Sequence, residues 1–160
     1  MKTLQELLIE LNACEDARVW AADKSIEQVI TECHRGDWLL WLASKVEMDF
    51  QTITLAKGLC ANTVRHLMKD ECSIKAVDVA IAFGRGEATR KELNAAYVYA
   101  YAAAAYAAAA AAAAAAYAAD AAARQQNQQE TADICREVFG SKLIELVNNK
   151  LIETNQNQIL

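Results

Sequence analysis

A chain of 160 residues with 54% hydrophobic side chains and no proline is long enough for one domain with a real core. Its net charge of -5, with sixteen Lys and Arg scattered along it, argues against a general nucleic-acid binder, which needs a basic patch. The five cysteines, at positions 14, 33, 60, 72 and 135, are an odd set without CxxC spacing; they point to neither a disulfide framework nor a zinc site and fit a reducing cytoplasm.

The opening MKTLQELLIELN carries Glu6 and Glu10 where an export signal needs an apolar run, so no signal peptide is expected. Thr3 instead opens a short helix to about Asn12 with Leu4, Leu7, Leu8 and Leu11 on one face. A second short turn around 17–22 carries Trp20, and Ser25 with Gln28 forms a capping box into a third helix that Gly36 ends. Asp37 is then placed to cap DWLLWLASKV, a helix apolar nearly all round and therefore expected to be buried, Trp38 and Trp41 included. The same two rings also suit stacking on bases or cations, but burial is the plainer role.

From Asp49, the stripe Ile53, Ala56, Cys60, Val64 and Leu67 predicts a helix to about Met68, with Asn62, Arg65, His66 and Lys69 on its polar side. Asp70 caps the next helix, which carries Ile74, Val77 and Ile81 on one side and stops at Gly84 and Gly86. The GxG in FGRGE follows a helix rather than a strand, so it reads as a turn and not a phosphate loop.

Thr89 and Glu92 form a further capping box, ahead of an alanine tract from Ala95 to Ala119. Alanine loses no side-chain entropy in a helix, so a helix over about 90–124 is predicted, roughly 50 Å long at ~1.5 Å per residue, as the spine of the domain. The tract is long enough to cross a bilayer but holds Ala in place of Leu, Ile and Phe and lacks a flanking basic cluster, so no membrane role is expected. At 100° per residue Tyr99, Tyr106 and Tyr117 line up along this helix, with Tyr97 and Tyr101 opposite. The rings either cover core neighbours or form a partner-binding stripe, since Tyr is favoured at interfaces and Ala permits close helix approach.

The polar RQQNQQE that follows either continues the helix or breaks it. A helix from about Glu130 to Phe139, stopped by Gly140, and another capped by Ser141 with Leu143, Val147 and Leu151 in step complete the predicted elements. Residues 1–153 are one domain on this reading, and 154–160 a polar tail that frays.

Neither histidine, His34 or His66, has a ligand or triad partner at a recognisable spacing, and no HxxxH or HExxH pattern occurs. The cysteines are expected to act as small buried hydrophobes. The mixed-sign group Arg65, His66, Lys69, Asp70 and Glu71 reads as a solvated helix junction rather than an acid-base site. No reaction and no cofactor are indicated.

GDWLLWLASKV, LAKGLCANTVRHL, KAVDVAIAFGRGEAT and the Ala-rich run after them resemble a family of small all-α proteins of bacteria and their phages, described as immunity proteins of polymorphic toxin systems. The likeness covers roughly Ser25 to Phe139 and rests on helix order and Ala-rich texture. It implies an all-α fold and a protein that binds and blocks a cognate toxin. The family's alanine segment is usually interrupted by Asp or Lys; here Asp120 is the one interruption, and ten alanines run unbroken from Ala107 to Ala116.

The expected fold is an all-α, single-domain helical bundle of about six to eight helices around one long Ala-rich helix. The expected function is non-enzymatic: a cytoplasmic inhibitor of the immunity type that occludes a toxin or effector, through Tyr99, Tyr106, Tyr117, Asp120, Arg65 and His66. An acidic surface suits a basic nuclease, chiefly by raising the association rate. The alternatives are a phage anti-defence inhibitor of a host nuclease, as an anti-CRISPR protein is, a helical small-ligand or nucleotide-binding protein with Trp38, Trp41 and the tyrosines as its floor, and a self-associating Ala-rich homo-oligomer.

Overall fold

In the computed structural model, residues 2–98 and 121–156 are described, with side chains for 2–98 and 125–152. The rest of the alanine tract, with Tyr99, Tyr101, Tyr106, Tyr117 and Asp120, lies outside the described residues, as do residues 157–160. The described residues form eight helices and no strand: α1 (Leu4–Glu10), α2 (Glu15–Trp20), α3 (Ile26–Glu32), α4 (Gly36–Lys45), α5 (Phe50–Asn62), α6 (Glu71–Gly84), α7 (90–98) and α8 (Ala121–Gln156). A 3-10 turn, Arg65–Leu67, joins α5 to α6. The fold is the all-α bundle the sequence predicts.

Short polar side chains start most of these helices by satisfying first-turn amides that have no partner inside the helix. Reciprocal capping boxes link Thr3 with Glu6, Ser25 with Gln28 and Thr89 with Glu92. The Asp49 carboxylate accepts from the Thr52 amide at 2.8 Å, and that of Asp70 from the Ser73 amide at 2.7 Å. Gly86, at φ +79°, takes the left-handed conformation that turns the chain after α6, as its sequence position suggests.

The helix on which the described bundle is built is α8, against which α3, α4 and α5 all dock, while α6 pairs with α5. Ala132, Cys135, Phe139, Leu143 and Val147, stepping at helical spacing, are all buried along α8. They meet Val29 and Ile30 of α3, Leu39, Leu42 and Ala43 of α4, and Ile53 and Ala56 of α5 in one core. Burying each large side chain is worth about 1.5–3 kcal/mol. Arg136 ties α8 to the end of α3 by polar contacts, its Nη1 donating to the carbonyls of Ile30 at 3.2 Å and Cys33 at 2.7 Å.

Several expectations need correction. Gly36 does not end the third helix, which stops at Glu32, but opens α4, and Cys14 and Cys72 are exposed rather than buried. Gly140 does not stop a helix and Ser141 does not cap one: both lie inside α8, which runs unbroken through Gln156 and so takes in the first part of the supposed tail. An interior Gly costs about 1 kcal/mol relative to Ala, less than burying Phe139 and Leu143 on either side of it returns.

Asp37 is not the cap of α4. The N-cap position falls on Arg35, which makes no side-chain cap bond, and the Asp37 carboxylate is taken instead by the Arg35 guanidinium at 2.6 and 2.8 Å. A bidentate Arg pair is stronger than a single amide contact and wins the carboxylate.

The α5 helix ends at Asn62, not near Met68. The Thr63 hydroxyl donates to the Cys60 carbonyl at 2.8 Å and accepts from Asn127 Nδ2 at 2.7 Å, local bonding that competes with continuation of the helix. Leu67, expected in the apolar stripe, is in consequence 65% exposed.

Finally, α4 is not buried all round. Gly36, Leu39, Leu42 and Ala43 face the core, whereas Trp38, Leu40 and Trp41 are only half-buried along its edge.

Candidate functional site

The half-buried tryptophans form the most distinctive surface among the described residues. Trp20 is the last residue of α2, His34 sits in the link from α3 to α4, and Trp38 lies in the first turn of α4. Their ring centres are mutually close: 6.0 Å for Trp20 to Trp38, 6.2 Å for Trp20 to His34 and 6.5 Å for His34 to Trp38. These tilted and edge-on arrangements suit the quadrupoles of the rings.

Cations rest on this aromatic face. Lys24 Nζ stands 5.0 Å from the Trp20 ring centre, the Arg35 guanidinium 4.8 Å from Trp38 and Lys45 Nζ 5.9 Å from Trp41. Two of the three are also ion-paired, Lys24 with Glu32 and Arg35 with Asp37. The Arg35 guanidinium beside Asp37 holds its carboxyl below the usual carboxylate range and raises its own pKa in turn. The face therefore presents flat apolar rings framed by neutralised ion pairs.

Beneath the rings lies a cavity of about 30 Å³ with an apolar lining that includes Leu8, Ala17, Trp20, Trp38, Trp41 and Leu42. That volume is about the share of one water in the liquid. It does not accommodate a nucleotide.

Arg65 and His66 lie elsewhere, on the 3-10 turn. Arg65 is held by Asp78 of α6, with Nη2 at 2.9 Å from Oδ2, and this contact lowers the Asp78 pKa. The pair ties the turn to α6, and His66 is exposed beside it. Neither residue joins the tryptophan face. A smaller aromatic group sits where α5, α6 and α7 meet, with Phe50 and Phe83 5.7 Å apart and the Arg90 guanidinium 3.7 Å over Phe50. On α7, Tyr97 is exposed, so this one described tyrosine does not cover the core.

Trp20 and His34 were not legible as members of a site, because their meeting with Trp38 depends on the path of α2 against α3. One local signal did exist on the neighbouring ring: Lys45 follows Trp41 by four residues, one turn of α4. Among the described residues no group of three or more His, Cys, Asp or Glu is arranged to hold a metal ion, and no helix is long and apolar enough to cross a membrane. No family model matches the chain, and neither does any curated protein or solved structure.

Proposed function

We propose that this chain is a non-enzymatic binding protein that neutralises a toxin or another protein effector by covering its working surface. The observation that carries the reading is the exposed side of the Trp20–His34–Trp38 cluster with Arg35 stacked on it. Trp and Arg dominate the energetics of protein interfaces, because large flat groups lose little conformational freedom on docking and shed much water. Ion pairs already closed within the face spare a partner the cost of meeting unpaired charge.

The competing small-ligand reading is disfavoured at the tryptophans by the size of the cavity beneath them, about 30 Å³. The resemblance to immunity proteins named from the sequence supplies the class of partner in this proposal.

Capture of a tagged wild-type chain and of Trp38→Ala from the native host lysate, read by mass spectrometry, tests the reading. Recovery of one stoichiometric toxin or nuclease with wild type, its loss with Trp38→Ala, and relief of that protein's toxicity on co-expression are the expected results. Recovery of the wild-type chain alone, or with a co-purifying nucleotide, overturns it. Equal capture by both chains keeps the function but removes the tryptophan face from it.

A further inference from the structure

The α2 helix carries a different surface on each side. Ala17 and Trp20 line the tryptophan cavity, whereas Glu15, Arg18 and Val19, about half a turn round, line a cleft shared with Gln5 of α1 and with Ala22 beyond the helix. The cleft has a volume of about 290 Å³, at the lower end of the range for small-molecule sites. Gln5 fixes one wall. Its Nε2 donates to the Arg18 carbonyl at 2.6 Å, tying α1 to α2, and its amide oxygen is left to accept.

Opposite charges border this cleft without meeting. Glu15 and Arg18 stand three positions apart on one helix, the spacing at which Asp133 with Arg136 and Lys142 with Glu145 form ion pairs. Neither the Glu15 nor the Arg18 side chain has an ion-pair or hydrogen-bond partner among the described residues. The Arg18 Nε is moreover enclosed by the protein, and a buried N–H that meets no acceptor is costly. Val19, 71% exposed, gives the cleft an apolar wall with Ala22.

We propose that the cleft between α1 and α2 is a binding site for a free α-amino acid with a short aliphatic side chain, its carboxylate held by the Arg18 guanidinium and its ammonium by the Glu15 carboxylate.

The chemistry of the lining selects this class. A guanidinium takes a carboxylate side by side, Nε and one Nη each donating to one oxygen, so a carboxylate at Arg18 supplies the acceptor that Nε lacks. A simple anion such as inorganic phosphate brings only like charge to Glu15. A ligand with an ammonium on the carbon next to its carboxylate pairs with both residues, and the Gln5 amide oxygen accepts a further ammonium hydrogen. A short aliphatic side chain then lies on Val19 and Ala22 and sheds water. The site is separate from the tryptophan face and does not depend on a protein binding there.

The test titrates the full chain by calorimetry with L-alanine, L-valine and L-leucine. The amide of each, which lacks the carboxylate, and the matching desamino acid, which lacks the ammonium, are titrated alongside. Saturable one-to-one binding of at least one amino acid is expected, weakened about tenfold or more by removal of either charged group. At about 100 times its dissociation constant the ligand is expected to raise the melting temperature on the order of 5–10 °C. Arg18→Gln is expected to abolish binding and Glu15→Gln to weaken it about tenfold. Glu15 is exposed, so Glu15→Gln keeps the test readable should Arg18→Gln lose its helical circular dichroism. No saturable heat up to the solubility of each amino acid, equal binding of the amide or the desamino acid, or unchanged binding by Glu15→Gln each overturn the proposal.

Discussion

Gly36 lies so close to Thr131 that a Cβ placed on it would stand 2.6 Å from the Thr131 carbonyl carbon and 2.5 Å from its Oγ1. The first is backbone in the middle of α8 and cannot swing aside. Gly36→Ala therefore forces α4 away from α8 and is expected to cost about 1–3 kcal/mol, as overpacking of a tight interior does. Urea denaturation followed by circular dichroism measures it. An unchanged midpoint would show that the two helices are not in this register.

Gly140 gives the opposite expectation. A Cβ there meets Ile30 Cγ2 at 3.4 Å, the end of a side chain that can adjust by a few tenths of an ångström. Gly140→Ala is expected to stabilise the chain by about 0.5–1 kcal/mol, through the helix propensity gained and the freedom removed from the unfolded chain. The same denaturation series reads both glycines, and a destabilised Gly140→Ala would contradict a continuous α8.

Leu143→Ala and Leu67→Ala separate the core from the stripe that the sequence suggested. Leu143 is fully buried and its truncation is expected to cost about 2–5 kcal/mol. Leu67 is 65% exposed and its loss should stay within about 0.5 kcal/mol. Comparable losses at the two positions would restore the longer α5.

The acid limb of stability follows from the caps and ion pairs. The Thr52 backbone amide holds the Asp49 carboxyl below its ordinary pKa, the Arg65 guanidinium does the same for Asp78, and the Arg35 guanidinium for Asp37. A carboxyl depressed in the folded state contributes stability above its unfolded pKa, about 3.9 for Asp, and loses it as pH falls through the folded value. Melting temperature should thus hold from pH 7 to about 5 and decline below about pH 4. Asp49→Asn keeps a capping side chain but removes the ionisation, so it should melt near wild type at pH 7 and fall less steeply in acid. A parallel decline in the two chains would remove Asp49 from the acid response.

Five helix starts were legible because each rests on a local bond between a side chain and the amide three residues on, at Thr3, Ser25, Asp49, Asp70 and Thr89, whereas α2 and α4 start without such a bond. Helix ends were less so. Gly140 has the residue type of a stop, but whether a chain stops there depends on what Phe139 and Leu143 bury, which is a property of α3 and not of the local sequence. Asp37 was misread for a similar reason: two groups competed for one carboxylate, and residue type does not say which wins. The tryptophan face lay beyond local reading because Trp20 and Trp38 meet through tertiary structure. The tyrosine stripe expected from the sequence and Asp120 fall outside the described residues, whereas Arg65 is engaged with Asp78.

The Arg136 contacts also bear on how the chain is made. The Ile30 and Cys33 carbonyls at the end of α3 are bonded by a guanidinium 106 and 103 positions later. On a ribosome, α3, α4 and α5 emerge long before the wall they dock on, and their apolar faces wait until Cys135, Phe139, Leu143 and Val147 have followed. Nascent chains halted before residue 135 therefore present Leu39, Leu42 and Ile53 to whatever holds unfolded protein in the cell, and release depends on the translation of α8.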